Sequence, residues 1–244
     1  MNRYKKLMVR IQNGEKILID GATGTEVERR GVPPVKHAWN AGGAKTHPDL
    51  MRQIHADYIA LGAEIVISNT FATGRSLLED AGWADEFDLL NRRGVELCIE
   101  AREAQNKPDI LVAGGISHWW WKTEPANDVL RKNTRDQAII MKEAGADLIM
   151  LEMMCEIDKT LIVLEESLNS GLPVWVGFSC QKSESGEIQL LDNEELLADA
   201  IKAIEPYNIP LISIMHTRTP NVDDCLDVVQ SLWSGPIGVY AHSG

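Results

Sequence analysis

Apolar residues recur along the chain in seven short runs: Lys16–Asp20, Glu64–Ser68, Ile110–Gly114, Asp147–Glu152, Val174–Phe178, Leu211–Met215 and Ile237–Tyr240. These runs lack strict alternation, as strands buried on both faces do. The segments between them carry helical period. Leu50, Ile54, Tyr58 and Leu61 make one apolar face, with Pro48 in the first turn and Gly62 as a stop. Phe87, Leu90, Leu97 and Ala101 make another. Leu161, Leu164 and Leu168 follow Asp158 as an N-cap and end before Gly171. Asp192 and Glu195 resemble a capping box ahead of Leu197, Ile201 and Ile204. Val222, Leu226, Val229 and Trp233 follow Thr219-Pro220, a cap and first-turn pair. The helical signal is weakest around Ala138–Ala144. Strands alternating with helices imply parallel pairing through right-handed crossovers. The pattern therefore predicts an α/β fold, a (β/α)8 TIM barrel with seven strands identifiable and the eighth missing or replaced, as a single domain over 1–244. An open doubly wound sheet is the alternative. Tyr4–Gln12, with Leu7, Val9 and Ile11 in alternation, is expected to cover the barrel bottom or to lie along the gap.

Composition narrows the partners. A net charge of −12 argues against nucleic acid. The basic opening, Met1–Arg10, has no long apolar core and is not a secretory signal. No apolar run approaches the roughly 20 residues of a membrane span. The four cysteines show no C-x-x-C spacing, so a reduced, cytoplasmic setting is expected. A barrel without its eighth strand would leave two strand edges to be covered, which makes a homodimer the expected assembly.

Candidate chemistry clusters where a barrel would place it, at the C-terminal ends of strands. Asp20-Gly21-Ala22-Thr23-Gly24-Thr25-Glu26 follows the first run without the Lys of a P-loop or the spacing of a dinucleotide loop. Its glycines would let backbone approach a ligand while Asp20 points a carboxylate into the mouth. The plainer reading is a tight turn with Asp20 as a helix cap. Glu152 ends an apolar strand, where a carboxylate is costly unless it meets a cation or donors. It could grip an ammonium group, or pair with a nearby Lys or Arg. His216 and His242 follow neighbouring strands and could share a metal or a substrate, although a lone His is more often a satisfied polar residue. No H-x-H or H-E-x-x-H spacing supports a metal. Cys180 is either a third ligand or a small buried residue. Trp119-Trp120-Trp121 follows the third run, beside His118. At least one indole would line the mouth and could hold a cationic methyl donor, unless the three only pack over a loop.

In order and spacing these pieces resemble the homocysteine S-methyltransferase family. The resemblance rests on DGATGTE at Asp20–Glu26, AWN at Ala38–Asn40, HPDL at His47–Leu50 and HADYIALGAEIVISNTFAT at His55–Thr73. It continues through GADLIMLEMM at Gly145–Met154, WVGFSC at Trp175–Cys180 and VYAHSG at Val239–Gly244. The family is a TIM barrel whose members pass a methyl group from a sulfonium, ammonium or carrier donor to a thiol held as thiolate on zinc. The resemblance implies Asp20 and Glu152 as catalytic groups and Gly21, Asn69 and Thr70 as substrate-binding residues. It also implies zinc on three cysteines, the first in an Asn-Cys pair after the sixth strand and two in a Gly-Gly-Cys-Cys segment at the eighth. Here Met215-His216 stands at the first position, and no Gly-Gly-Cys-Cys segment occurs in the sequence. A metal, if present, would fall to His216 and His242. The expected partners are a small amino acid or thiol and a methyl donor, with no nucleic acid and no membrane. Two rival functions follow: a metal-dependent or acid–base enzyme using His216, His242 and Glu152 with His118, or a non-catalytic amino-acid-binding protein.

Overall fold

Apolar runs buried on both faces are satisfied by a parallel ladder with helices packed outside it. The computed structural model, which describes residues 2–242, has that form. In chain order its strands are β1 Ile65–Ile67, β2 Leu111–Ile116, β3 Leu148–Met154, β4 Val174–Phe178, β5 Cys180–Lys182, β6 Ile188–Leu190, β7 Ile212–Arg218 and β8 Ile237–His242. Six of them form one parallel sheet in the order β1-β2-β3-β4-β7-β8, and β5 and β6 pair as a separate antiparallel hairpin. The helices are α1 Arg3–Gln12, α2 Thr23–Arg29, α3 Gly43–Thr46, α4 Pro48–Ala60, α5 Arg75–Asp80, α6 Phe87–Ala104, α7 Asn127–Ala144, α8 Ile157–Leu168, α9 Leu197–Ile204 and α10 Val222–Leu232.

Side chains alternate across the sheet, so it builds two cores. Val66, Val112, Ile149, Val176 and Ile214 face outward onto helical residues such as Val95, Met141, Val163 and Val229. Ile65, Leu111, Leu148, Trp175 and Leu211 face inward and meet in one cluster. The sheet is therefore curled into part of a barrel. Its bottom is covered by α1. Leu7 is buried in the inner cluster, and the Trp175 indole donates to the Tyr4 hydroxyl at 3.1 Å. The Leu7-Val9-Ile11 alternation does not make a strand, and Val9 is exposed.

The sheet departs from the expected seven strands at its first member. Lys16–Asp20 makes a single parallel bridge, Ile19 to Ile65, anchored by Asp20 N to Ile65 O at 2.9 Å and Glu64 N to Leu18 O at 2.8 Å. Leu18 is exposed, so this run lacks the second buried face that β1 to β4 have. Three helix starts also differ. Asp158 lies in the first turn of α8, behind the cap residue Glu156. Asp192 and Glu195 form no capping box, because Asp192 has φ +56° and the Glu195 carboxylate instead accepts from Ile157 N at 2.8 Å. Glu195 thereby serves the start of α8. Thr219-Pro220 opens a 3₁₀ turn, and α10 begins at Val222. Where the period was weakest, α7 is a full helix. Its buried face carries Asn133, Thr134 and Gln137 among the apolar residues. The Gln137 amide donates to Asn91 Oδ1 at 2.9 Å and Asn133 accepts from Arg75 N at 2.8 Å, so polar residues fill apolar positions. No described helix is long and apolar enough to cross a membrane.

The β4–β7 contact is close. A Cβ added at Gly177 would overlap the Met215 side chain and lie 2.9 Å from the Leu151 carbonyl. Gly177→Ala is therefore expected to destabilise the protein by about 1–3 kcal/mol through overpacking. Urea unfolding measures this, and an unchanged midpoint would contradict so tight a junction.

Candidate active site

Two buried carboxylates lie at the C-terminal end of the sheet. Asp20 Oδ2 accepts from the Ile67 amide at 2.8 Å, while Oδ1 is buried with no partner. Glu152 sits within β3, 6 % exposed. No Lys or Arg pairs with either among the described residues. Gly115, on the adjacent β2, makes the room, since a Cβ there would overlap Glu152 Oε1. Burial pushes the Asp20 carboxyl up to about 8, although the Ile67 amide pulls it down in part. Burial, and then the charge of Asp20, push Glu152 up to about 8 as well. The Tyr240 hydroxyl is raised by burial and by both carboxylates.

These groups face an inner chamber of about 290 Å³, which also takes in Gly21, Asn69, Phe71, His216, Tyr240 and His242. Outside it lies a larger chamber of about 870 Å³ with Trp39, Phe71, Trp119, Trp121, Met153 and Arg218 in its walls. Trp39, Phe71, His216 and His242 border both chambers. Six of the residues singled out from sequence thus converge: Asp20, Gly21, Asn69, Glu152, His216 and His242. Gly21 has no room for a side chain, because a Cβ would lie 2.9 Å from the Tyr58 ring. Asn69 donates to the Asn40 carbonyl at 2.9 Å. Trp119 and Trp121 reach the outer chamber and meet edge to face at 6.2 Å.

Thr70 does not line either chamber. It is fully buried, its hydroxyl donates to Gly115 O at 2.7 Å, and its methyl packs where Gly94 lacks a Cβ. It locks the loop after β1 to β2. His118 is also turned away. Its Nε2 accepts from the Cys155 amide at 3.1 Å, just beyond Met153, which has φ +58°. That position removes His118 from the acid–base set suggested by sequence. Tyr240, Phe71 and Trp39 are the site residues that strand-end reasoning passed over. Trp39 stood inside the AWN segment, and its ring fills the space left by Gly24.

His216 has φ +49°. Its ring lies between Phe71, at 5.8 Å, and Tyr240, at 5.4 Å, and its Nε2 is buried without a partner. Burial lowers it to about 4, helped by His242, so the imidazole is neutral. His242 is exposed on β8, in register with Arg218.

The homocysteine S-methyltransferase family model matches residues 17–244. The chain belongs to the homocysteine S-methyltransferase family. It is 24% identical over 257 residues to "Homocysteine S-methyltransferase 2" of Zea mays, covering 95% of this chain and 74% of that protein. It is 24% identical over 267 residues to "Selenocysteine methyltransferase" of Astragalus bisulcatus, covering 96% and 78%. The metallated form of homocysteine methyltransferase MmuM from Escherichia coli shares its fold, with a TM-score of 0.75 over 97% of this chain and 96% of that one, at 21% identity.

A zinc centre of the family's three-thiolate type does not fit the residues described here. Among them, no three His, Cys, Asp or Glu side chains are grouped to hold a metal. Cys98 Sγ lies 3.4 Å from His55 Nε2, buried between α4 and α6. Cys155 donates to the Met153 carbonyl, and Cys225 lies in α10 against Cys180. Cys180 reaches the outer chamber but not the inner one. His216 and His242 share a chamber without a third donor beside them among the described residues.

The carboxylate pair ties stability to pH. Both groups bind protons more tightly folded, to about 8, than unfolded, at about 4. Their contribution is complete below about pH 4 and is lost as pH rises to about 8. Glu152→Gln removes one of them, so its melting temperature should fall less between pH 5 and pH 8 than that of the parent. Parallel profiles would show that Glu152 is not a raised carboxyl.

Proposed function

We propose that the inner chamber binds the amino-acid end of homocysteine, and that this chain transfers a methyl group to its sulfur from an onium donor seated in the outer chamber. The scaffold is read as a (β/α)8 barrel represented here by its first seven strand positions, the first reduced to one bridge. A single observation carries the reading: Asp20 and Glu152 are both buried on the inner chamber with no cation of the protein's own paired to either among the described residues. Such a pair is costly as it stands and becomes favourable when a ligand ammonium enters between the two groups. Asp20 and Glu152 hold that ammonium, while Gly21 and Asn69 shape the wall beside it. Thr70 acts at one remove, by fixing the loop that carries Asn69. The aromatic walls of the outer chamber, Trp39, Phe71, Trp119 and Trp121, suit a cationic methyl donor. The names of the Zea mays and Astragalus bisulcatus relatives support methyl transfer to a sulfur or selenium amino acid. A second reading, amino-acid binding without turnover, is favoured by the lack of a grouped thiolate set among the described residues.

Calorimetry with homocysteine tests the ammonium site. Glu152→Gln should weaken binding by about 1.5–3 kcal/mol, the value of a charged hydrogen bond. Unchanged affinity would remove Glu152 from the site. Affinity should also rise from pH 6 toward pH 8, because ligand ammonium needs ionised carboxylates and both groups titrate near 8. A flat profile over that range would mean that the carboxyls do not meet the ligand. Mass spectrometry of homocysteine incubated with glycine betaine or S-methylmethionine then separates turnover from binding.

A further inference from the structure

Residues 117–126, between β2 and α7, carry the Trp119-Trp120-Trp121 run and have neither helix nor strand. From 119 to 125 the backbone makes no hydrogen bond to another backbone group among the described residues. A strap without ladder bonds takes its position from side chains. Its start is pinned by Ser117 Oγ, which accepts from Trp119 N at 3.1 Å, and by His118, which accepts from Cys155 N at 3.1 Å. Past the tryptophans, the Asp80 carboxylate at the end of α5 accepts from Thr123 N at 3.0 Å and from the Thr123 hydroxyl at 2.9 Å. Lys159 of α8 holds Glu124, but by its side chain and not by the strap's backbone. The Asp80 side chain is only 10 % exposed, so water competes little with its bonds. The added contact from the exposed Lys122, at 3.4 Å, contributes little.

Asp80 lines neither chamber, whereas Trp119 and Trp121 line the outer one. Trp121 is exposed, so packing alone does not fix it. Its edge-to-face contact with Trp119 couples the two rings, and a shift of one moves the other. We propose that Asp80 is a positioning residue for the methyl donor: it touches no ligand, and it sets the strap so that Trp119 and Trp121 stand as a wall against the donor's cationic centre. This rests on the reading above that the outer chamber seats an onium donor. A cation–π contact depends on where the ring face stands, so a displaced strap lowers donor affinity and leaves the amino-acid end in the inner chamber untouched.

Calorimetry on the whole chain tests this, with homocysteine titrated first and then glycine betaine or S-methylmethionine added to the homocysteine-saturated protein. Asp80→Ala should weaken donor binding about three- to thirtyfold, the loss of one cation–π contact. It should leave homocysteine affinity unchanged and alter the near-ultraviolet circular dichroism of the indoles. Asp80→Asn keeps an acceptor for Thr123 and should restore most of the donor affinity. Trp119→Ala and Trp121→Ala are measured in parallel. If either weakens the donor while Asp80→Ala does not, the positioning role is overturned and the outer chamber stands as the donor site. Homocysteine and donor weakening together in Asp80→Ala would also overturn it, since that is a general loss of structure. If the parent takes up neither donor, or if both tryptophan variants leave donor affinity unchanged, the donor reading fails and this inference fails with it. Where Asp80→Ala does not fold, Thr123→Val removes one of the bonds: a smaller loss of donor affinity supports the inference, and no loss overturns it.

Discussion

The burial of Asp20 and Glu152 on one chamber, without a paired cation among the described residues, is the constraint on which the site depends. A carboxylate in such a place is tolerated only when the surrounding structure holds it firmly. Here the holding is done by backbone. The Ile19–Ile65 bridge sets Asp20 beside β1, where the Ile67 amide meets its carboxylate. Parallel register then sets Gly115 of β2 opposite Met150 of β3, two residues before Glu152. Ser68 accepts from the Gly115 amide at 3.1 Å and Thr70 donates to its carbonyl. Gly115 is thus fixed from the β1 side, and its missing side chain is the space that Glu152 occupies.

Two of the strands that bring residues to the chamber are irregular near their ends. The β3–β4 register shifts between Leu151 and Met154, and the β7–β8 register shifts between Met215 and Arg218. Each irregularity contains a residue with positive φ, Met153 and His216. Non-glycine residues rarely adopt that conformation, and where they persist the surrounding structure must over-determine them. For Met153 the restraint is visible in the His118–Cys155 hydrogen bond beyond it. For His216 it is the ring packing between Phe71 and Tyr240. Bulges at strand ends re-aim side chains, and these two belong to the strands that carry Glu152 and His216.

Much of this was legible from sequence, for physical reasons that differ by element. Five apolar runs reported strands because burial on both faces leaves no polar option, and Ile237–Tyr240, half exposed, became a strand by pairing with β7. Glu152 stood out because a lone acid in such a run needs a reason. The Lys16–Asp20 run misled because pairing depends on neighbours, and with Leu18 exposed it keeps only one bridge. The helix α7 was faint because its buried face is partly amide, satisfied across helices by Asn91 and the Arg75 backbone. Thr70 sat beside Asn69 in sequence, yet its hydroxyl is turned to the Gly115 carbonyl, so of the two only Asn69 reached the chamber. Tyr240 and Phe71 carried no local signal, since an aromatic that walls a cavity reads like one in a core.

The polarity of the chamber follows from the same pair. Without a ligand, carboxyls titrating near 8 are largely protonated at neutral pH, and the apo site is close to uncharged. An arriving ammonium reverses this. It favours ionisation of both groups, which releases protons, and it stands in for the counter-ion that the fold omits. A neutral molecule of the same shape cannot do so and leaves the carboxyls as they were. On the proposed reading, the site recognises charge by completing an ion cluster. The net charge of −12 on the chain acts in the same direction at long range, drawing cations toward the mouth rather than repelling them.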